Sequence, residues 1–169
     1  MSNVFKRVEL LTNLAIIAVA IVLSVVLIKQ FVLTKQTGAV PAAVEVSPGE
    51  KIPLTEVDWS KNGRTLLLVL QKDCHFCTES APFYRRLVKE TSDRGDVRLV
   101  ALLPQPIADG KQYLDQLGVS IADVRQVSPG QVKVHGTPTL ILVNENGVVT
   151  NVWAGKLQSD AESQVLNKL

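Results

Sequence analysis

The sequence is poor in the residues that bind metals and in those that stack on nucleic-acid bases. Its 169 residues include two cysteines, two histidines and one methionine, and aromatic residues make up 5%. A structural zinc site usually takes three or four thiolates, which two cysteines cannot supply, and His75 and His135 are the only imidazoles. The lysines and arginines are scattered rather than arranged as a stripe, so nucleic acid is not an expected partner.

One long stretch near the N-terminus lacks charge altogether. Leu10–Ile28 contains no charged residue, and as a helix it would rise about 28 Å, which matches the hydrocarbon core of a bilayer. The stretch is apolar around its whole circumference, unlike an ordinary core helix, and it is longer than the apolar region of a secretory signal peptide. The sequence therefore predicts a short tail at 1–9 and a transmembrane anchor at 10–33. The basic residues on its two sides are equal in number, so charge does not decide the orientation.

Small residues, prolines and a glycine follow the predicted anchor. Residues 34–48 show neither helical nor strand periodicity, which is typical of a linker. The remaining residues, 49–169, have the length of one ordinary domain with a single hydrophobic core.

Apolar runs of strand length alternate with helical segments in this domain. The runs at 65–70 and 97–103 are continuous apolar stretches, as expected of buried strands. Between them a helix is predicted to extend to about Glu90. This β-α-β order predicts two parallel strands.

The second half of the domain continues the alternation and then closes with a hairpin. A short helix, capped by Asp109 and ended by Gly118, leads to a weaker strand at 124–127. The runs at 139–143 and 148–153 flank an Asn146–Gly147 turn, the strongest short-range hairpin signal. A final helix is predicted at Gln158–Leu169. The pattern predicts an α/β fold, with a mixed central sheet, helices on both faces and an antiparallel hairpin at one edge.

Both cysteines lie within four residues of each other, directly after the first predicted strand. Cys74 and Cys77 are at i and i+3 of the following helix, so their side chains can meet across one turn and form a disulfide. A disulfide that closes a ring of about four residues contributes only roughly 2 kcal/mol in the chain-entropy model. That is little for a structural cross-link, which favours redox chemistry over an inert pair.

Position favours Cys74 as the reactive cysteine. At a helix N-terminus, backbone N–H groups stabilise the thiolate, which is the attacking species, so the pKa of Cys74 is expected to fall. Cys77, one turn further along, is placed to attack a mixed disulfide on Cys74 and release the substrate. Three neighbours are expected to modulate this pair: a protonated His75 favours the thiolate, Asp73 opposes it, and Phe76 completes the dipeptide between the cysteines.

Several segments, taken in order, resemble the thioredoxin superfamily, and within it the membrane-anchored TlpA-like branch. The resemblance covers about Glu45–Leu169. The matching features are "CHFC" after an apolar strand, "HGTPT" at 135–139, "NENG" followed by Gly155, and a central insertion at 104–134. In addition, Ala81–Pro82 matches the proline that kinks the first long helix of thioredoxins.

The resemblance implies a thioredoxin-like fold and a set of site residues. Cys74 and Cys77 would be the catalytic pair, acting through their own disulfide without a bound cofactor or metal. Pro138 would follow a cis peptide bond and lie against the cysteines. The loop that contains it, with His135 and Thr137, would bind substrate, because the backbone of Thr137 is presented to an incoming peptide.

Two positions depart from the usual thioredoxin pattern. Thioredoxins commonly carry tryptophan before the first cysteine, where this chain has Asp73, and a buried acid six residues upstream of that cysteine, where it has Leu68. The usual proton acceptor for the second cysteine is therefore missing.

The resemblance also implies a cellular setting. We expect a single-pass bacterial membrane protein whose C-terminal domain lies outside the cytoplasm, in the periplasm or at the cell exterior, where disulfides persist. Its expected activity is thiol–disulfide exchange with cysteine-containing protein substrates. A membrane or soluble redox partner would recycle the dithiol.

Two other classes of function compete with this interpretation. A copper-binding chaperone could use Cys74, Cys77 and His135 as a soft sulfur and nitrogen site, although copper chaperones of this fold usually space their cysteines by three residues. Peroxiredoxins resemble the fold but carry threonine three residues before the reactive cysteine, where this chain has Gln71.

Overall fold

A computed structural model of the chain describes Ile17, residues 46–61 and residues 63–169. The predicted tail and anchor lie outside the described residues, apart from Ile17, as does the linker before residue 46. Within the described ranges, no helix combines the length and the apolar character that crossing a membrane requires. The elements of these ranges are β1 (Arg64–Val69), α1 (His75–Glu79), α2 (Ala81–Arg94), β2 (Val97–Leu103), α3 (Ile107–Gln116), β3 (Asp123–Gln126), β4 (Thr139–Asn144), β5 (Val149–Ala154) and α4 (Ser159–Lys168).

The five strands form one mixed sheet in the order β3-β2-β1-β4-β5. Strand β1 is parallel to β2, which is parallel to β3, whereas β4 is antiparallel to both β1 and β5. In this register Leu66 of β1 lies between Leu99 of β2 and Leu142 of β4. The predicted mixed sheet, with its hairpin at one edge, is confirmed.

The buried residues form two clusters, one on each face of the sheet, because alternate side chains of a strand point to opposite faces. Leu66 and Leu68 belong to the first cluster, and Leu67 and Val69 to the second. Every helical residue in these two clusters belongs to the first. The prediction of helices on both faces is therefore wrong for the described part of the chain.

The connections between strands explain why the helices share a face. From β1 to β2 and from β2 to β3 the chain moves in the same direction across the sheet, each time through a crossover between parallel strands. Such crossovers are almost always right-handed, so both place their helices on the same side. The second face is instead covered by irregular segments, which contribute Val46, Ile52, Leu54, Val57, Val127 and Val132.

The helix predicted after the first cysteine is broken in two. Ser80 ends α1 and begins α2, and the second helix continues to Arg94 before Gly95 ends it. Pro82 explains the break, because proline has no N–H and its ring would clash with the carbonyl of Thr78 in a continuous helix.

Helix α3 begins earlier than predicted. Pro106 is its N-cap and Ile107 its first residue, so Asp109 lies within the first turn and is not the cap. A carboxylate there still favours the helix through the positive end of the dipole. Gly118 ends the helix as predicted, with a φ of 65° and a hydrogen bond from the next residue, Val119, to the carbonyl of Leu114.

The hairpin between β4 and β5 has a longer turn than expected. The N–H of Gly147 donates to the carbonyl of Asn144, so Glu145 and Asn146 are the central residues. Among the described residues, Asp73 is the only one other than glycine with a positive φ, so Asn146 does not adopt the left-handed conformation that a two-residue type I′ turn requires. The Asn144 side chain accepts the N–H groups of Asn146 and Val148 and fixes this turn.

We predict that Gly147→Ala destabilises the domain more than Gly95→Ala. Both glycines have positive φ, 75° and 73°, so each alanine is strained by roughly 1–2 kcal/mol. A Cβ at Gly147 would also lie 3.0 Å from the indole ring of Trp59, whereas at Gly95 it would meet nothing within 4 Å. Urea unfolding of residues 45–169 should show the larger loss for Gly147→Ala. Equal losses would mean that Trp59 moves aside without cost.

Candidate redox site

Cys74 lies where the first strand gives way to the first helix. It is the N-cap of α1, in agreement with its predicted place at a helix N-terminus. Its sulfur accepts a hydrogen bond from the N–H of Cys77 at 3.1 Å. The residue before it, Asp73, is exposed and has a φ of 65°, a conformation that aspartate tolerates better than most residues. Because α1 has only five residues, this one directed N–H is a more specific source of thiolate stabilisation than the helix dipole.

The two cysteines form a disulfide but differ in burial. Their Cα atoms are 5.2 Å apart. Cys77 is fully buried in the first cluster, and Cys74 is only partly buried against it. Cys74 is therefore the more accessible of the two cysteines to an incoming group.

The loop before β4 contacts the disulfide from the other side. The peptide bond between Thr137 and Pro138 is cis, and Pro138 is buried. The carbonyl oxygen of Thr137 lies 3.3 Å from the sulfur of Cys74, so a Cys74 thiol can donate to it when the pair is reduced. The Thr139 hydroxyl donates to the carbonyl of Gly136, and the N–H of Gly155 donates to the carbonyl of Pro138. These two bonds hold the loop against the sheet.

The two predicted histidines occupy different surroundings. His135 is exposed on the loop that carries Thr137. His75 is also exposed and lies one turn from Glu79, with its Nε2 atom 3.2 Å from the carboxylate. Lys156 donates to the same carboxylate at 2.9 Å from beyond β5. The hydrogen bond from Lys156, helped by the charges of Lys156 and His75, lowers the pKa of Glu79.

Glu79 and Lys156 were not predicted as site residues. The spacing of His75 and Glu79 at i and i+4 on a helix is a signal that the sequence does contain. Lys156 follows Glu79 by 77 positions, and only the fold places it beside α1. Together these residues tie the cysteine helix to the end of β5.

Phe76 is exposed although it is a large apolar residue. Its exposed fraction is 55%, and its ring lies 5.6 Å from that of His75. It stands between the two cysteines in the sequence, on the helix whose N-cap is Cys74. A partner that reaches the Cys74 sulfur would come close to this ring.

The residues buried with Cys77 in the first cluster are largely apolar. Among the described residues, none of the buried side chains is a carboxylate, a lysine, an arginine or a histidine. Leu68, at the position where thioredoxins commonly carry a buried acid, is fully buried in the first cluster. Tyr84 is buried there too, and burial raises its pKa, so its hydroxyl remains neutral. Because Leu68 stands in place of the acid that is common in thioredoxins, the residues buried with Cys77 are largely apolar.

The geometry offers no support for the copper alternative. In the part of the chain that the structure describes, no group of three histidine, cysteine, aspartate or glutamate side chains is arranged to hold a metal ion. The set of Cys74, Cys77 and His135 is accordingly not brought together as a three-ligand site.

Similar proteins are found by structure rather than by sequence. No protein-family model and no curated protein sequence matches the chain with significance. Among solved structures, a Chlorobium tepidum protein assigned as the thiol:disulfide interchange protein DsbE superposes with a TM-score of 0.59 at 21% identity, over 73% of this chain and 98% of its own. A thiol:disulfide interchange protein of the thioredoxin family from Chlorobium tepidum gives 0.52 at 17% identity, over 73% and 94%. StoA from Bacillus subtilis gives 0.52 at 16% identity, over 72% and 97%.

These likenesses show that the chain has the thioredoxin fold. At identities of 16–21%, such superpositions establish a shared fold but not a shared chemistry.

Proposed function

We propose that the chain is a membrane-tethered thiol–disulfide oxidoreductase that exchanges disulfides with cysteine-containing proteins outside the cytoplasm. The observation that carries this proposal is the asymmetry of the cysteine pair. Cys74 is partly exposed and its sulfur accepts an N–H, whereas Cys77 is buried but close enough to form the disulfide. A structural cross-link has no need of one accessible and one covered sulfur. The solved structures of similar fold named as thiol:disulfide interchange proteins support the same chemistry.

The reaction divides between the two sulfurs. In the reduced protein the Cys74 thiolate attacks a substrate disulfide, which forms a mixed disulfide and releases one substrate thiolate. Cys77 then loses its proton and attacks the Cys74 sulfur, which releases the second substrate thiolate and closes the Cys74–Cys77 disulfide. Two electrons pass from the protein to the substrate. The reverse sequence oxidises a substrate dithiol, and a redox partner restores the starting state in either direction.

We assign roles to the other predicted residues from their positions near the cysteine pair. The N–H of Cys77 favours a thiolate on Cys74, while the carbonyl of Thr137 favours the protonated thiol, so the two oppose each other. His75, held near Glu79, adds positive charge when protonated. In the mixed disulfide, the backbone of Thr137 and the buried Pro138 would form the wall against which the substrate lies.

The location of the domain is a separate part of the proposal. The uncharged stretch at 10–28 supports a single anchor, and disulfide exchange is most useful where disulfides persist. We therefore place the domain on the outer side of a bacterial cytoplasmic membrane. The tether is the part of the predicted linker that precedes Val46, because Val46 already packs in the second cluster.

Whole-cell labelling tests location and reducibility together. Cells that express the full chain are treated with a phosphine reductant and then with a charged maleimide, neither of which crosses the cytoplasmic membrane. Because the chain has only two cysteines, the label on the purified chain reports on this pair alone. We expect labelling in intact cells, and none in a Cys74→Ser, Cys77→Ser double variant. Labelling only after lysis would contradict the location, and none after lysis would contradict a reducible pair.

A further inference from the structure

A pocket lies beside the redox site, and most of its apolar lining belongs to the second face of the sheet. Its volume is about 470 Å³, within the range of natural ligand sites, which is roughly 300–1,000 Å³. Val69, Val127, Val132 and Val134 supply apolar walls, and Thr137 stands at one end. The pocket can therefore hold a bulky apolar side chain.

Thr137 connects this pocket to the reacting sulfur. It lines the pocket, and its carbonyl oxygen is 3.3 Å from the Cys74 sulfur. Cys74 packs against the first buried cluster, whereas the valine walls belong to or pack against the second. Most of the apolar lining thus lies on the second face, although Leu70 of the first cluster also lines the pocket. The loop that contains Thr137 lies between this lining and the sulfur.

This arrangement determines which substrate residue could reach the pocket. In an extended peptide, successive side chains point in opposite directions. When the substrate cysteine points toward Cys74, on the side of the first face, its immediate neighbours point toward the second face. Residues two positions away point in the same direction as the cysteine and therefore away from the pocket.

We infer that the pocket is a specificity site that receives a bulky apolar side chain of the residue directly next to the substrate cysteine. This inference rests on the proposed function and names the class of substrate: extended segments in which an aromatic or large aliphatic residue adjoins the cysteine. Among the residues that line the pocket, only His135 is ionisable. A basic neighbour would therefore lose its hydration without gaining an opposite charge. Apolar contacts in such a site typically discriminate by about 10–200-fold.

Three peptide disulfides provide the test, and the first two have equal composition. The substrates are symmetric disulfide-linked dimers of Gly-Phe-Cys-Phe-Gly, of Phe-Gly-Cys-Gly-Phe and of Gly-Gly-Cys-Gly-Gly, each reduced by the full chain in its dithiol form. Symmetric dimers ensure that Cys74 attacks the same sulfur environment in either half. Rates are divided by those for dithiothreitol with the same peptide, which removes differences in intrinsic reactivity. We expect the second-order rate constant for the first peptide to exceed that for the second by about tenfold or more.

A pair of variants localises the effect. Val134 and Val152 both pack, partly buried, against the second cluster, but only Val134 lines the pocket. Val134→Trp should fill the pocket and bring the first peptide down to the rate of the second. Val152→Trp should preserve the preference, and circular dichroism of both variants checks that they fold.

The outcomes separate the pocket from the chemistry. Equal rates for the first two peptides, or a preference that survives Val134→Trp in a folded protein, would overturn the specificity site while leaving exchange intact. If the chain reduced none of the three peptides, the proposed function itself would be overturned.

Discussion

The Cys77→Ser variant is expected to accumulate protein substrates joined to Cys74. In the native protein the buried Cys77 sulfur resolves each mixed disulfide by attacking Cys74, and serine cannot make that attack. Expressed as the full chain in its native cell, the variant should show high-molecular-weight adducts on a non-reducing gel, which reducing agent dissolves. Cys74→Ser is the matched control and should yield none, because its remaining thiol is fully buried.

The trapped partners would also identify the substrates. Proteins exposed outside the cytoplasm are expected among them, and segments in which a large apolar residue adjoins the cysteine should be frequent. Equal yields from Cys77→Ser and Cys74→Ser would exclude the assignment of Cys74 as nucleophile. A complete lack of adducts would argue against exchange with proteins.

Alkylation of the reduced chain is expected to occur at Cys74 faster than at Cys77 by on the order of a hundredfold. Two differences act in the same direction. Cys74 is the more accessible cysteine, and its sulfur accepts the N–H of Cys77. Cys77 is fully buried among the largely apolar residues of the first cluster. Iodoacetamide at mildly acidic pH, followed by mass mapping of the peptides, gives the two rates.

Unfolding provides the control for this measurement. In denaturant both cysteines should react at similar rates, because the difference comes from the fold and not from the neighbouring sequence. Similar rates in the folded protein would remove the distinction between an attacking and a resolving cysteine.

The local sequence pattern predicts the sheet and the position of the cysteines well. Continuous apolar runs fix the central strands, and the predicted final helix begins within one residue of α4. The i and i+3 spacing predicted that Cys74 and Cys77 could form a disulfide, and they do so. These features depend on neighbours in the sequence, and periodicity reports on such neighbours directly.

Features that depend on distant contacts were missed or misplaced. Whether helices cover one face or two depends on the order of the strands, which the pattern of apolar runs does not encode. The pairing of Lys156 with Glu79 and the pocket beside Thr137 both need the folded chain. The break before α2 is different, because Pro82 was visible and its clash with the carbonyl of Thr78 follows from proline geometry alone.

Leu68 connects the sequence departure to the chemistry. With an apolar residue at this point, no buried carboxylate in the described part of the chain can accept the proton of the Cys77 thiol. Once the mixed disulfide has formed, the proton of the Cys77 thiol must then pass to solvent on the side of the site where Cys74 lies. The account therefore predicts that resolution, rather than attack, is the slower of the two steps.

A redox titration of the full chain in glutathione buffers tests the central claim most directly. The fractions of disulfide and dithiol are counted by mass after acid quenching and alkylation. We expect one two-electron transition, with the ratio of the two forms changing tenfold for about 30 mV, at a potential above roughly −300 mV. A pair that stays oxidised at all glutathione ratios, with a potential below that value, would be a structural cross-link and would contradict the proposed exchange activity.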